Sequence, residues 1–351
     1  MEQKTPFYIK STFIMLGLIA FVAIMYLGQS IIVPIIVSLL LAILLNPLVN
    51  LLISFKINRV ISISIILIIV TAICVLLLLM LTNQFNAFIN SVPILIDKFY
   101  KTLNSSILGV SSQFNISPET INVFIDDSKL DLIATSKSLI GPTISSIGSV
   151  LFTLLLIPVY IFLILYYKKL LLDFIKNVFG SENKKEVDSI LNSTKQILQR
   201  YLVALIFEAI LIAILNISAL LVLDIQNAII VGLIGAILNV VPYIGGIVST
   251  AIPVAIALAT KDSISSTFYV VIAYIIIQFI DNNLILPKLV ASRVRINAFI
   301  SVIVVIIGGE IWGVTGMFLS IPLIAICKNI FDNVTILKPL GLLLGDLNDA
   351  D

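Results

Sequence analysis

Three carboxylates stand inside apolar stretches of this sequence: Glu208, Asp281 and Glu310. A charge near the centre of a bilayer costs at least ~2.5–3.5 kcal/mol, so a carboxylate in such a place marks a candidate ion or solute path. The same stretches carry side chains that both donate and accept hydrogen bonds, namely Asn239, Tyr243, Asn282 and Asn283. Carboxylates set among amides and a phenol form a lining suited to a cation, a proton or a small polar solute. Plainer readings stand beside this one. Asp281 could lie near the membrane interface or cap a helix end, and Glu208 could pair with a neighbouring side chain.

These residues need elements to hold them. Apolar segments fall at 12–27, 31–53, 60–82, 146–167, 200–222, 227–260, 266–286 and 298–331. About 20 apolar residues span a bilayer as helix, and continuous apolar runs do not alternate as barrel strands do. Hydrophobic residues make up 60% of the chain and charged residues 11%, with a mean hydropathy of +1.19. A soluble domain carries roughly a quarter charged residues. The fold class is therefore an all-α polytopic membrane protein.

The second half repeats itself. One apolar hairpin runs from Asn227-Ala228 through Pro242-Tyr243-Ile244-Gly245-Gly246 to Pro253, and another from Asn297-Ala298 through Gly308-Gly309-Glu310-Ile311-Trp312-Gly313 and Gly316 to Pro322. Each follows a single apolar helix. One crossing plus a hairpin makes an odd number of passes, so the two copies are expected to be inverted. The arms 227–241 and 297–309 reach only roughly 20–22 Å at 1.5 Å per residue, against a hydrocarbon core of about 30 Å. Re-entrant hairpins with buried tips are preferred, with full spans joined by tight turns as the alternative. Pro242, Gly245, Gly246, Gly308, Gly309, Gly313 and Gly316 supply the tip chemistry, glycine for close approach and proline to end an arm.

Basic residues set an orientation. Lys4, Lys10, Lys56, Arg59, Lys168, Lys169, Lys288, Arg293, Arg295, Lys328 and Lys338 all fall on one side if both termini are cytoplasmic. The segment 83–145, four lysines against five acids, then lies outside; the stretch 167–200, seven basic residues against four acids, lies inside. In the outer segment Phe88, Val92, Leu95 and Phe99 recur at helical spacing, and Ser117-Pro118-Glu119 reads as a helix start. Helices lying on the membrane face or a small helical cap both suit it. Gly28-Gln29-Ser30 is expected to turn the first helix into the second, and 181–200 reads as an amphipathic connector.

Absences exclude several classes. No histidine is present, which removes a Ser-His nucleophile, a zinc-protease helix and a histidine proton relay. No phosphate loop is present, and a net charge of +2 without a basic cluster gives no reason to expect nucleic acid. Cys74 and Cys327 lie in apolar runs and read as small core thiols. An enzyme is not expected, nor is any cofactor or structural metal.

Three stretches together resemble the autoinducer-2 exporter family of bacterial membrane proteins. Asn239-Val240-Val241-Pro242-Tyr243-Ile244-Gly245 is similar to its Pro-Tyr-Ile-Gly signature. Gln278-x-x-Asp281-Asn282-Asn283-x-x-x-Pro287 is similar to its Gln-x-x-Glu/Asp-Asn stretch, and Gly308-Gly309 to Pro322 to its glycine-rich final hairpin. The run Arg295-Ile296-Asn297-Ala298 departs from the family's frequent proline there. The resemblance implies a transporter in a bacterial cytoplasmic membrane, its substrate left open between a sugar-like signalling furanone and sodium or lithium exchanged for protons.

The expected organisation is a scaffold over 1–82, the outer segment 83–145, a helix and connector over 146–199, a transport unit over 200–331 and a cytoplasmic tail over 332–351. A homo-oligomer in the lipid bilayer is expected, working by alternating access. The competing reading from another class is a non-transporting assembly or signalling protein that docks through 83–145.

Overall fold

The computed structural model describes residues 6–77, 79, 156–179, 183–241, 244–261, 264–294 and 296–346. The expected outer segment 83–145 and the tip residues Pro242 and Tyr243 lie outside the described residues. Among the described residues all regular structure is helical: α1 (Phe7–Leu27), α2 (Gln29–Ser54), α3 (Arg59–Leu77), α4 (Leu156–Tyr166), α5 (Lys168–Val178), α6 (Lys184–Val222), α7 (Ala228–Asn239), α8 (Ile244–Thr260), α9 (Ile264–Ile280), the short α10 (Ser292–Val294), α11 (Ala298–Asn333) and α12 (Lys338–Leu344). Two consecutive π turns, Asp281–Ile285 and Pro287–Ala291, follow α9. Six of the described helical stretches are long and apolar enough to cross a membrane. With 60% hydrophobic residues, this is an all-α polytopic membrane protein.

Gly28 makes the first turn, ending α1 and starting α2. The amphipathic connector and the helix after it form one rod: α6 has 39 residues, about 58 Å of helix against a hydrocarbon core of about 30 Å. Its buried side chains Tyr201, Leu205, Glu208, Ile212, Asn216 and Leu220 recur every three or four residues, which lays them along one face.

The described residues pack as two compact units. Unit 1 takes Met1–Leu67, Leu155–Val203 and Arg293–Asp351, and unit 2 takes Ile68–Leu154 and Ala204–Ser292. In unit 2 the core joins Leu220 of α6 to Ala228 and Val231 of α7, Ile256 and Ala257 of α8, and Val270 and Tyr274 of α9. Lipid is as apolar as these side chains, so close packing rather than exclusion of water must hold the helices together. Small residues allow it. A Cβ on Gly232 would lie 2.6 Å from the Ile217 side chain, and one on Gly235 3.1 Å from Asn216 Nδ2, so α7 presses its backbone onto α6.

In unit 1, α11 is one continuous element only by its hydrogen bonding. Trp312 (φ −132°, ψ 17°) and Gly313 (φ 61°, ψ −145°) break it into two arms. The Ser320 hydroxyl donates to the carbonyls of Gly316 (2.7 Å) and Val304 (2.8 Å). Residues 304 and 320 would stand roughly 24 Å apart along a straight helix, so the chain has doubled back. The second expected hairpin is present, folded at Trp312-Gly313.

Candidate functional site: a buried carboxylate–amide network

A polar network lies within the apolar interior of unit 2. Asp281 occupies the first position of the first π turn and is 3% exposed, while the Asn282 and Asn283 beside it are exposed. A π turn closes one residue later than an α turn and is frequently found at functional sites. Asp281 Oδ2 accepts a hydrogen bond from Asn239 Nδ2 at 2.7 Å. Asn239 is the last residue of α7, at the tip of the first hairpin, and its Oδ1 accepts from Gln278 Nε2 at 3.2 Å. Gln278 and Asp281 are three residues apart on one face of the α9 rod, so a single amide at the hairpin tip bridges both.

Two glycines make room for this arrangement. A Cβ on Gly245 would overlap the Leu238 carbonyl, and one on Gly246 would lie 2.6 Å from Gln278 Oε1. The first seats the start of α8 against the end of α7, and the second lets α8 lie against the Gln278 amide.

Glu208 of α6 is also 3% exposed, and its charged neighbour is Asp281. Glu208 Oε2 and Asp281 Oδ1 have no hydrogen-bond partner among the described residues; neither do Asn216 Oδ1, Thr267 Oγ1 and Tyr274 Oη. Thr267, Tyr274 and Asp281 succeed one another at intervals of seven, two helical turns, so their unsatisfied oxygens follow one face of α9. Buried polar atoms without partners are uncommon in native structures and each calls for an explanation. A bound cation, a proton or a hydroxylated solute would satisfy them. Among the described residues no three Asp, Glu, His or Cys side chains gather, so a cation here would draw on two carboxyls and on amide oxygens.

The expected residues thus divide. Glu208, Asn239 and Asp281 come together, with Gly245 and Gly246 packed beside them. Asn282 and Asn283 stay outside, Asn283 donating to the Phe279 carbonyl at 2.8 Å. Glu310 belongs to unit 1, where it is exposed near the second tip. Gln278 was read only as part of a motif, and Asn216, Thr267 and Tyr274 were missed. The heptad spacing of the last two with Asp281 was the available signal.

The second tip is built on different chemistry. A Cβ on Gly316 would fall inside the Gly308 carbonyl, and one on Gly308 would overlap the Ser320 hydroxyl, so the arms touch through glycine backbone. One on Gly309 would lie 2.6 Å from the end of Met317, a flexible side chain. Trp312 Nε1 donates to the Met25 carbonyl of α1 at 2.9 Å. Asn297 caps the first arm, its Oδ1 accepting from the Ile300 amide at 2.8 Å and its Nδ2 donating to the carbonyls of Leu343 (2.8 Å) and Gly345 (3.0 Å). That cap supplies a helix start where the family's proline is missing.

Comparison with known proteins finds relatives described as transport proteins. The chain is similar to the putative transport protein YrrI of Bacillus subtilis, 26% identical over 66% of each chain. It is 29% identical to the putative transport protein YueF of the same organism, over 32% of this chain and 30% of that one. Similarity to the AI-2 transport protein TqsA of Escherichia coli is 25% identity over 95% of each. The match thus spans just under two thirds of the length of YrrI and under a third of YueF. The pattern described as AI-2E family transporter matches residues 15–336, and the chain belongs to that family.

Proposed function

We propose that this protein is a secondary transporter that moves a small polar solute or a monovalent cation by alternating access, and that Glu208, Asn239, Gln278 and Asp281 line its site. The observation that carries the reading is Asp281. It is buried in a membrane-crossing stretch, and one oxygen is held by the hairpin-tip amide of Asn239 while the other has no partner among the described residues. Burying a carboxylate in that state is costly unless a ligand or proton completes it. The short first arm supports a re-entrant hairpin: α7 has 12 residues, about 18 Å, well under the hydrocarbon thickness.

The transport stretch is 200–331, working against a scaffold from residues 1–82. Its first hairpin packs in unit 2 and its second in unit 1. The two hairpins form an inverted repeat, and both termini face the cytoplasm of a bacterial inner membrane. Coupling to protons or sodium runs through Asp281 and Glu208.

Asp281→Asn is the direct test, since it keeps size and hydrogen bonding but removes the charge. Ion-driven flux in proteoliposomes should fall to background while the variant remains folded; sodium/proton exchange at the native rate would remove Asp281 from the mechanism. Tyr243→Cys and Gly313→Cys test access. Each should be labelled from opposite sides under different ion conditions, and labelling from one fixed side under all conditions counts against alternating access. The name of the Escherichia coli relative, AI-2 transport protein, favours AI-2 as the first substrate to try; the buried carboxyls make sodium or lithium against a pH gradient the second.

A further inference from the structure

At one end of unit 1, four helices gather positive charge around a cleft. Arg59 opens α3, and its guanidinium donates to the Leu165 carbonyl at the end of α4. Lys168 opens α5 and donates to Asn46 Oδ1 of α2 at 3.0 Å. Lys169 follows it. Between them lies a cleft of ≈ 460 Å³ whose polar lining is Asn46, Asn50, Arg59, Lys168 and Lys169; among the described residues no acid lines it. Val49, Ile53, Leu165 and Leu172 make up its other wall. Burial, then the charges of Lys195 and Arg59, hold the Lys168 ammonium below the usual lysine range, so an anion placed in this cleft would be favoured. Asp173 lines the adjoining cleft with Arg59 and Lys169.

The surroundings indicate where that anion comes from. None of the α5 side chains is buried, and Leu170, Leu171, Phe174 and Val178 share one exposed face of it. Lys169, Asp173 and Lys176 occupy the opposite face. A short helix so divided lies in the plane of a membrane interface, apolar face towards the acyl chains. It therefore holds Lys168 and Lys169 at the depth of lipid headgroups. An occupant must offer an anion to Arg59, Lys168 and Lys169, and an apolar body to the other wall of the cleft.

We propose that this cleft binds the phosphate of an anionic phospholipid, with Arg59, Lys168 and Lys169 around the headgroup and the Val49, Ile53 and Leu172 wall against its glycerol and upper acyl region. The site is separate from the carboxylate–amide network of unit 2 and does not depend on what that network transports. A free phosphate would meet the same cations but would leave the apolar wall unused.

The test uses the full chain in nanodiscs of phosphatidylcholine with a minor fraction of phosphatidylglycerol, with retained lipid counted by native mass spectrometry. The wild type should keep phosphatidylglycerol in excess over its share of the bilayer. Removing a cation should reduce that excess roughly fivefold, so Arg59→Gln with Lys169→Gln should abolish it, whereas Lys10→Gln should not. Lys169 is exposed, so Lys169→Gln alone keeps the test decisive if the double variant does not fold. No enrichment in the wild type, or equal enrichment in wild type and Lys169→Gln, overturns the proposal. Displacement of the lipid by millimolar glycerol phosphate overturns it too, assigning the cleft to a soluble anion.

Discussion

The two hairpins share a sequence pattern and a glycine contact between their arms, but their tips are surrounded by different chemistry. The first tip is seated by Gly245 against the Leu238 carbonyl. It is then tied by side chains to α9 and the turn after it, Gln278 to Asn239 to Asp281, with oxygens that lack partners among the described residues nearby. The second closes through backbone, with Gly308 against Gly316 and one serine hydroxyl stapling the arms. A side-chain tie to a neighbouring helix can be released by a competing ligand or a proton, because its hydrogen bonds are exchangeable. A glycine closure offers nothing to exchange and fixes shape instead. The two copies thus differ in what meets at their tips: amides and a carboxyl at the first, glycine backbone and one serine hydroxyl at the second.

The largest test of that contrast is Gly316→Ala. The added methyl would overlap the Gly308 carbonyl, a backbone atom that cannot rotate away. A loss of about 3 kcal/mol or more is expected, seen as aggregation or a much lower unfolding temperature in detergent. Native behaviour would mean that the second hairpin is not closed by glycine contact.

Next is Asn239→Ala in the first hairpin. It strips Asp281 of its donor and Gln278 of its acceptor, at a cost on the order of 2 kcal/mol if folding alone is read. Flux should fall much further than stability does. Proportional loss of both would make Asn239 a structural tie only.

Gly313→Ala separates strain from packing. No atom lies within 4 Å of the Cβ it would add, but the dihedrals there suit glycine, so about 1–3 kcal/mol of backbone strain is the whole expected effect. Thermal unfolding beside Gly316→Ala should rank it clearly milder.

The smallest effect belongs to the outer end of the first hairpin, where Lys261 donates to Asp224 at 2.8 Å. The hydrogen bond and then the charge of Lys261 hold the Asp224 carboxyl below the usual carboxylate range. A folded value below the unfolded ~3.9 means the contribution is present above that pH and lost as pH falls through the folded value. Asp224→Asn keeps a residue that tolerates the positive φ of 52°. It should unfold slightly earlier than wild type at neutral pH, with the difference shrinking as pH falls below ~3.9, measured by thermal melts across the range. A difference that grows on acidification would contradict the pairing.

Much of the fold was legible because its causes are local. Apolar runs, the Gly28 turn and the two Asn-Ala starts each declare themselves within a few residues. The site was legible only in pieces. Asp281 and Asn239 stand out singly, but 42 positions separate them, and no local pattern records that the end of α7 meets the end of α9. Thr267 and Tyr274 were overlooked because one hydroxyl in an apolar helix is unremarkable until the helix phase is known. Asn282 and Asn283 looked equal to Asp281 by adjacency, yet successive residues of a helix point different ways, and only Asp281 turns inward. Glu310 drew attention as a carboxylate near a tip, and within unit 1 the fold leaves it exposed.

The paired π turns after α9 give the chain slack. Each closes with one residue more than an α turn needs, so Asp281–Ile285 and Pro287–Ala291 together store about two spare residues of thread. Deleting exposed Asn282 or Asn283 would be absorbed by converting one π turn to α, leaving the helix before it in phase. The same deletion at Tyr274 would have no slack to draw on and would swing Gln278 and Asp281 away from Asn239 by about a quarter turn or more. The helix is indexed like a screw with one adjustable pitch, set immediately after the residue whose direction matters most.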